Sequence, residues 1–371
     1  MTRREWIALI GAAPVLKAAD APAAPVSIAR CASYDEDVTA KLAALFDQLG
    51  GIEGLVRNKT VTIKLNMTGS PGTRVQGQAP GVTHYTHPKL VGATAHLLGR
   101  AGARRIRFVE SAWATGGPLE EVMLDSGWNV RALQSAATGV EFENTNALGK
   151  AKRYSRFKVP GSAYMYPAFD LNHSYEDTDV FVSLAKLKNH ATCGVTLSLK
   201  NCFGNTPASI YGDDAGADEP NESPTKGRGE VLHRGARQPS KSAPQELHFG
   251  SSHEAEYRVP RIVADLVAAR PIHLAIIDGV ESIAGGEGPW IRGVRMVKPG
   301  VLIAGLNPVC TDAVAAAVMG YNPRAVRGTA PFRKCDNTLL LAEAHGVGTT
   351  DLKRIEVRGV PIEQAVCRYD S

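Results

Sequence analysis

The sequence predicts an α/β fold, a parallel or mixed sheet covered by helices on both faces, and three observations predict it. Short β-branched runs alternate with amphipathic stretches from Val26 onward, the rhythm of strand and helix units stacked into one sheet. The chain has 371 residues, 44% of them hydrophobic, enough for a sizeable core. No internal repeat is visible, and past the N-terminus no stretch stays apolar for the roughly 18 residues of a membrane helix. Disorder as a whole-chain state and stable membrane insertion are therefore not expected.

The elements follow in order. Thr2-Arg3-Arg4-Glu5-Trp6-Ile7, the apolar run Ala8 to Leu16 and the Ala-rich sequence through Ala24 resemble a twin-arginine export signal. Residues 1–24 are read as that signal, with a periplasmic or otherwise exported destination, and a cytoplasmic protein with a frayed N-terminal helix is the alternative. Residues 25–371 are read as a single α/β domain. Val38, Leu42, Leu45, Phe46 and Leu49 fall at helical spacing, ahead of a strand from Thr60 to Leu65. A helix from Pro88 to Gly102 has proline in its first turn and glycine at its end, and it leads to the strand Arg105 to Glu110. Further strands are expected at Thr178 to Leu184, Ile272 to Asp278 and Gly300 to Leu306. Helices are expected at Pro260 to Ala269, Pro308 to Met319 and Asn337 to His345. Two segments break the rhythm. Asn129 to Phe169 reads as irregular or antiparallel, with short strands at Val140 to Glu143 and Arg156 to Val159. Asp213 to Tyr257, rich in Gly, Pro, Ser and charge, is too long for an ordinary connection and is read as a polar loop, either a disordered insertion or a partly ordered lid.

Charge and cysteine usage narrow the chemistry. The 42 basic and 37 acidic residues leave a net charge of +5, but they are scattered, so the continuous basic face of a nucleic-acid binder is missing. The six cysteines form no Cys-x-x-Cys pair and no zinc or iron–sulfur spacing. No cofactor or metal is assigned from them. There is no Gly-x-Ser-x-Gly elbow, no Gly-x-Gly-x-x-Gly after the first strand, and no P-loop ending on Gly285-Gly-Glu287-Gly.

In an open α/β sheet ligands collect outside the carboxyl ends of the strands, and these endings are polar throughout. They supply Lys64 and Asn66, Glu110 and Ser111, Lys186, Lys188 and His190, Asp278, and Asn307. If Lys186 to His190 stays extended, its period of two brings the two lysines and the imidazole to one side. Crowded ammonium groups lower a lysine pKa, which makes Lys188 or His190 a base and leaves Lys186 to hold an anion. Thr192, Lys200 and Asn201 add polar groups to the same segment, and substrate contacts are expected from Lys64, Asn66, Lys186, Thr192, Lys200 and Asn201. His87, just before the Pro88 helix, is a further acid, base or ligand, with capping by Thr86 as the plain alternative and a surface place expected for His84. Glu110, Asp278, Glu287 and Asp312 are possible acidic partners, although Asp312 has the position of a residue serving a helix dipole.

Ile63-Lys64-Leu65-Asn66, Thr86-His87-Pro88, Glu110-Ser111, Lys186-Leu-Lys188-Asn-His190, Gly194 through Leu199-Lys200-Asn201-Cys-Phe-Gly204, Ile277-Asp278-Gly279 and Asn307-Pro308-Val309 together resemble the domain of unknown function 362 family, over about Val61 to Val360. The resemblance implies an α/β fold without an assigned reaction. Many members carry a ferredoxin-like cysteine segment, and this chain departs from them in having none. The expected function is an enzyme that binds a small carboxylate or phosphate and uses Lys/His acid–base groups, as an isomerase, lyase or cofactor-assisted oxidoreductase. The alternative is a non-catalytic binder of an anionic metabolite, cofactor or metal.

Overall fold

The computed structural model describes residues 21–370. The Arg3-Arg4 pair and the apolar run Ala8 to Leu16 lie outside the described residues. In chain order the strands are β1 (Val26–Arg30), β2 (Thr60–Lys64), β3 (Arg105–Glu110), β4 (Val140–Asn144), β5 (Tyr154–Lys158), β6 (Ala168–Asn172), β7 (Val180–Lys186), β8 (Asn189–His190), β9 (Gly194–Val195), β10 (Leu274–Gly279), β11 (Ser282–Ala284), β12 (Arg295–Val297), β13 (Val301–Gly305) and β14 (Val357–Gly359). One mixed sheet runs in the order β14-β1-β13-β10-β7-β2-β3-β4. From β10 to β4 every pairing is parallel, so those carboxyl ends share one edge. β13 is antiparallel to both neighbours. That reversal moves the strand ending at Asn307 to the opposite edge, a correction to the expectation that all the polar endings meet.

Side-chain alternation divides the core in two. Val61, Ile63, Val182, Leu184 and Ile276 pack with the Val38–Gln48 and Pro88–Arg100 helices on one face. Phe181, Ile277 and Ile303 pack with the Leu197–Asn201, Ala255–Ala269 and Pro308–Val318 helices on the other. Lys186 has the parity of Val182 and Leu184, whereas Lys64 has the parity opposite to Val61 and Ile63. A period of two therefore sends these strand-end lysines to opposite faces of the sheet.

Several local expectations change for identifiable reasons. Val140–Asn144 is a parallel edge strand of the main sheet, paired with β3, and only Tyr154–Lys158 is antiparallel, in a separate ribbon with β6. The helix expected to start at Pro260 starts at Ala255 and contains the proline. Proline leaves the Glu256 carbonyl without its helical donor, and the Asp336 amide occupies that carbonyl at 3.3 Å. The N-cap of the Pro88–Arg100 helix is His87, whose Nδ1 accepts from the Lys89 amide at 3.1 Å. Thr86 instead donates to the Leu184 carbonyl. All six cysteines are free thiols.

The polar segment 213–257 is tied down along its length. Gly229–His233 forms a single wide helical turn. Glu246 receives both guanidinium nitrogens of Arg258, at 2.9 and 2.6 Å, within a fully buried ion pair. Such a pair is costly to break because the survivor is left as a buried lone charge.

Candidate functional site

A cleft of about 750 Å³ opens at the carboxyl ends of β2 and β3. Its floor is built by β2 and the short helix Leu197–Asn201. The Lys64 ammonium pairs with Glu110 Oε1 in a buried contact, and the remaining Glu110 acceptor capacity is filled by the Met67 amide at 2.8 Å and the Ser111 amide at 3.0 Å. Asn201 donates from Nδ2 to the Lys64 carbonyl and the Ser183 hydroxyl, which leaves its Oδ1 to accept from Asn66 Nδ2 at 3.0 Å. This chain orients the Asn66 amide, and Asn66 Oδ1, buried beside the cleft, has no donor among the described residues.

His190 and Thr192, on the β8 to β9 hairpin, form one wall. The Thr192 amide donates to His190 Nδ1 at 3.2 Å, so the proton of the neutral ring resides on Nε2. Burial and the neighbouring Lys200 hold this imidazole well below its ordinary pKa. His190 is thus a neutral Nε2–H donor. Glu287 faces it at 3.9 Å. Burial pushes the Glu287 carboxyl up, but hydrogen bonds from the Ala191 amide at 2.9 Å and the Trp290 indole N–H at 3.0 Å work against it, and the carboxyl is held below the usual carboxylate range.

The polar segment contributes Asp213, Gly227, Arg228, Gly229 and His233 to the lining. His233 has the reverse polarity: its Nδ1 lies 3.0 Å from the Arg228 carbonyl, which can only accept, so Nδ1 carries the hydrogen and Nε2 keeps its lone pair. Burial lowers its pKa, with the Arg228 carbonyl working against that shift. Arg228 donates to the Thr206 carbonyl, the Ser111 hydroxyl and Asn146 Oδ1, all neutral acceptors. Burial brings Arg228 down to about 10, which still leaves it charged at neutral pH. The Lys200 ammonium sits 4.4 Å from the Phe203 ring centroid. Lys64, Lys200 and Arg228 face Glu110, Asp213 and Glu287 around the cleft, and neither Lys200 nor Arg228 has a carboxylate within salt-bridge distance among the described residues. Burial lowers the Lys200 pKa. The cleft therefore holds two cationic groups free of a direct ion pair beside one imidazole that donates and one that accepts.

The sequence-derived residues distribute unevenly around this cleft. Lys64, Asn66, Glu110, His190, Thr192, Lys200, Asn201 and Glu287 all line it. Lys186, Asp278 and His87 lie on the other face. There the Lys186 ammonium contacts Tyr34 OH at 2.8 Å, the Gly81 carbonyl at 3.0 Å and Asp278 Oδ2 at 3.1 Å. Tyr34 stacks on His87 at 3.6 Å, and burial lowers His87 to about 4. Lys188 is fully buried beneath the cleft wall and donates to the His84 and Glu287 carbonyls at 2.6 and 3.2 Å. Burial brings it down to about 7. His84, expected at the surface, is wholly buried and pushed down to about 2 by that burial. Asp312 caps the Leu197–Asn201 helix from below, accepting from the Ser198 and Leu199 amides at 2.8 Å each.

Sequence reasoning did not single out Arg228, His233, Trp113 or Trp290, all of which line the cleft. The available signal was the unusual length of segment 213–257 and the Gly227-Arg228-Gly229 triplet inside it. Among the described residues no group of three His, Cys, Asp or Glu is placed to hold a metal, and no helix is long and apolar enough to cross a membrane.

The profile of the family described as Domain of unknown function (DUF362) matches residues 61–317, more than half of the chain. A thylakoid-associated protein of Synechocystis sp. is 27% identical over 187 residues, covering 50% of this chain and 51% of that protein. The chain spans about half the length of this curated relative.

Proposed function

The chain belongs to the domain of unknown function 362 family, to which no reaction is attached, and from its cleft we propose that it is an enzyme that binds a small anionic substrate and moves a proton on it. Lys200 and Arg228 hold the carboxylate or phosphate, because they are the charged donors at the cleft without a carboxylate partner. Asn66 Oδ1 accepts from a substrate hydroxyl or N–H. His233 Nε2 takes a proton from the carbon beside a substrate carbonyl, and the C–H electron pair moves onto the carbonyl oxygen. His190 Nε2–H and the Lys200 ammonium stabilise that oxygen as charge develops. When the deprotonated carbon bears a hydroxyl, passage of that hydroxyl's proton to the carbonyl oxygen through His190 and return of the carbon-bound proton from His233 to the former carbonyl carbon complete an isomerisation. When the carbon on its other side bears a leaving group, expulsion of that group with the proton held by His233 completes an elimination. Lys188 acts as a positioning residue, tying together the backbone of the His84 and Glu287 segments behind the wall.

The observation that carries this reading is the pair of imidazoles held in complementary hydrogen-bonding states beside two cations without carboxylate partners. It is tested by incubating the protein in deuterium oxide with a panel of 2-oxo and 2-hydroxy carboxylates and sugar phosphates, and following solvent deuterium at carbon by NMR. Exchange is expected with at least one compound, slowed by about 10²-fold or more in His233→Gln. Calorimetric binding without exchange of any compound refutes proton transfer and leaves the non-catalytic binder. We also propose export through Arg3-Arg4. Fractionation of wild type against an Arg3→Lys, Arg4→Lys double variant tests it, and an unaltered location refutes it.

A further inference from the structure

Two of the four tryptophans of the chain line this one cleft. Trp113 is 55% exposed and Trp290 46% exposed, so both leave large apolar ring faces in water at its mouth. Exposed indoles lining a concave site are what a planar ring would cover. They come from separate segments, Trp113 following β3 and Trp290 following β11. Glycines make room for Trp290. A Cβ at Gly69 or Gly288 would collide with the Trp290 ring. Trp290 is also held in orientation by its Nε1–H bond to Glu287 Oε1 and by the edge contact with His84 at 5.8 Å. Its ring is therefore preorganised rather than a loose surface group.

The aromatic lining continues inward. Phe203 lies under the Lys200 ammonium and meets the His233 ring edge at 5.1 Å, so an aromatic ring also adjoins the cationic part of the cleft. The volume of about 750 Å³ is far more than a lone carboxylate or phosphate fills. Asn66 Oδ1, oriented by Asn201 and without a donor, would accept from a ring N–H or a hydroxyl.

We propose that the ligand of this cleft is an aromatic or heteroaromatic carboxylate or phosphate ester, its ring against Trp113 and Trp290 and its acidic group at Lys200 and Arg228. This rests on the anion-binding reading of the same cleft. The ring subsite and the anion subsite are nevertheless separable by choice of probe.

The test is titration calorimetry with 1-naphthyl phosphate, cyclohexyl phosphate, inorganic phosphate and 1-naphthol. The proteins are wild type, Trp113→Ala, Trp290→Ala, a Trp113→Phe, Trp290→Phe double variant, and Lys200→Ala, with circular dichroism to establish that each is folded. Wild type should bind 1-naphthyl phosphate about tenfold more tightly than cyclohexyl phosphate. That preference should vanish on alanine substitution and survive in the phenylalanine variant, whereas Lys200→Ala should weaken every phosphate and spare 1-naphthol. Equal affinity for the two phosphate esters, or a preference unchanged in both alanine variants, overturns the aromatic subsite while leaving anion binding intact. Binding of 1-naphthol with no discrimination in favour of its phosphate refutes the anion reading and keeps the ring site. No binding of any probe refutes both.

Discussion

Lys186→Met probes whether the cluster on the far face is structural. The Lys186 ammonium and the Asp278 carboxylate are both completely buried. Asp278 also accepts from Tyr34 OH at 2.7 Å and the His87 amide at 2.9 Å. Methionine keeps most of the apolar stem and removes the charge, so Asp278 is left ionised with neutral donors alone. Stranding one member of a buried ion pair costs about 3–5 kcal/mol. With about 2.1 cal/mol/K of unfolding entropy per residue over 371 residues, that corresponds to a fall of about 4–6 °C in Tm. Adding Asp278→Asn removes the stranded charge and should recover most of the loss. Urea unfolding followed by circular dichroism measures all three proteins. A deficit below about 1 kcal/mol, or one that Asp278→Asn leaves in place, would refute the buried-pair argument. Phosphate-ester binding by folded Lys186→Met should stay near wild type. Lost binding at unchanged stability would instead return Lys186 to the substrate contacts.

Three further outcomes are expected. Lys188 has a folded pKa of about 7, below its unfolded value, so the folded state binds fewer protons between pH 7 and about 10 and stability rises with pH across that window. Lys188→Met should erase a slope of order 1 kcal/mol per pH unit, and denaturant midpoints that rise equally in both proteins would count against a buried ammonium. If His233 is the base, the acidic limb of kcat/KM should fall below pH 6.5, the direction in which burial moves its pKa. His233→Gln should abolish that limb along with about 10²-fold or more of the rate, and a limb that persists would assign the base elsewhere. Gly69 has φ of +84°, and an added Cβ meets the Trp290 ring. Gly69→Ala should therefore cost about 1 kcal/mol or more of stability and most of the preference for 1-naphthyl phosphate over cyclohexyl phosphate. Full retention of both would refute the close approach.

The amino-acid sequence alone determined the pieces that depend on near neighbours. The apolar spacing of Val38 to Phe46, the β-branched run at Thr60, the Asn307-Pro308 start and the Gly102 end of a helix all act within a few residues, and the corresponding elements stand where those signals put them. Polar strand ends were equally legible, and they located an edge rich in Lys64, Glu110, His190 and Lys200. Which of those ends share a cleft was decided by pairing between distant segments. Lys64 and Lys186 end neighbouring parallel strands, yet register and parity turn one towards the Leu197–Asn201 helix and the other towards Tyr34. No local pattern distinguishes β13 from its parallel neighbours, and its reversal took Asn307 to the far edge. Arg228 and His233 lie in a stretch with neither helical nor strand period, so no local rule could place them. Their position is set by the buried Arg258–Glu246 pair and by the carbonyl of Arg228, contacts that exist only once the segment has closed over the sheet. Burial works the same way on the titrating groups. A lysine reads as a surface charge until the fold removes its water, and at Lys188 that removal brings the ammonium to the edge of neutrality.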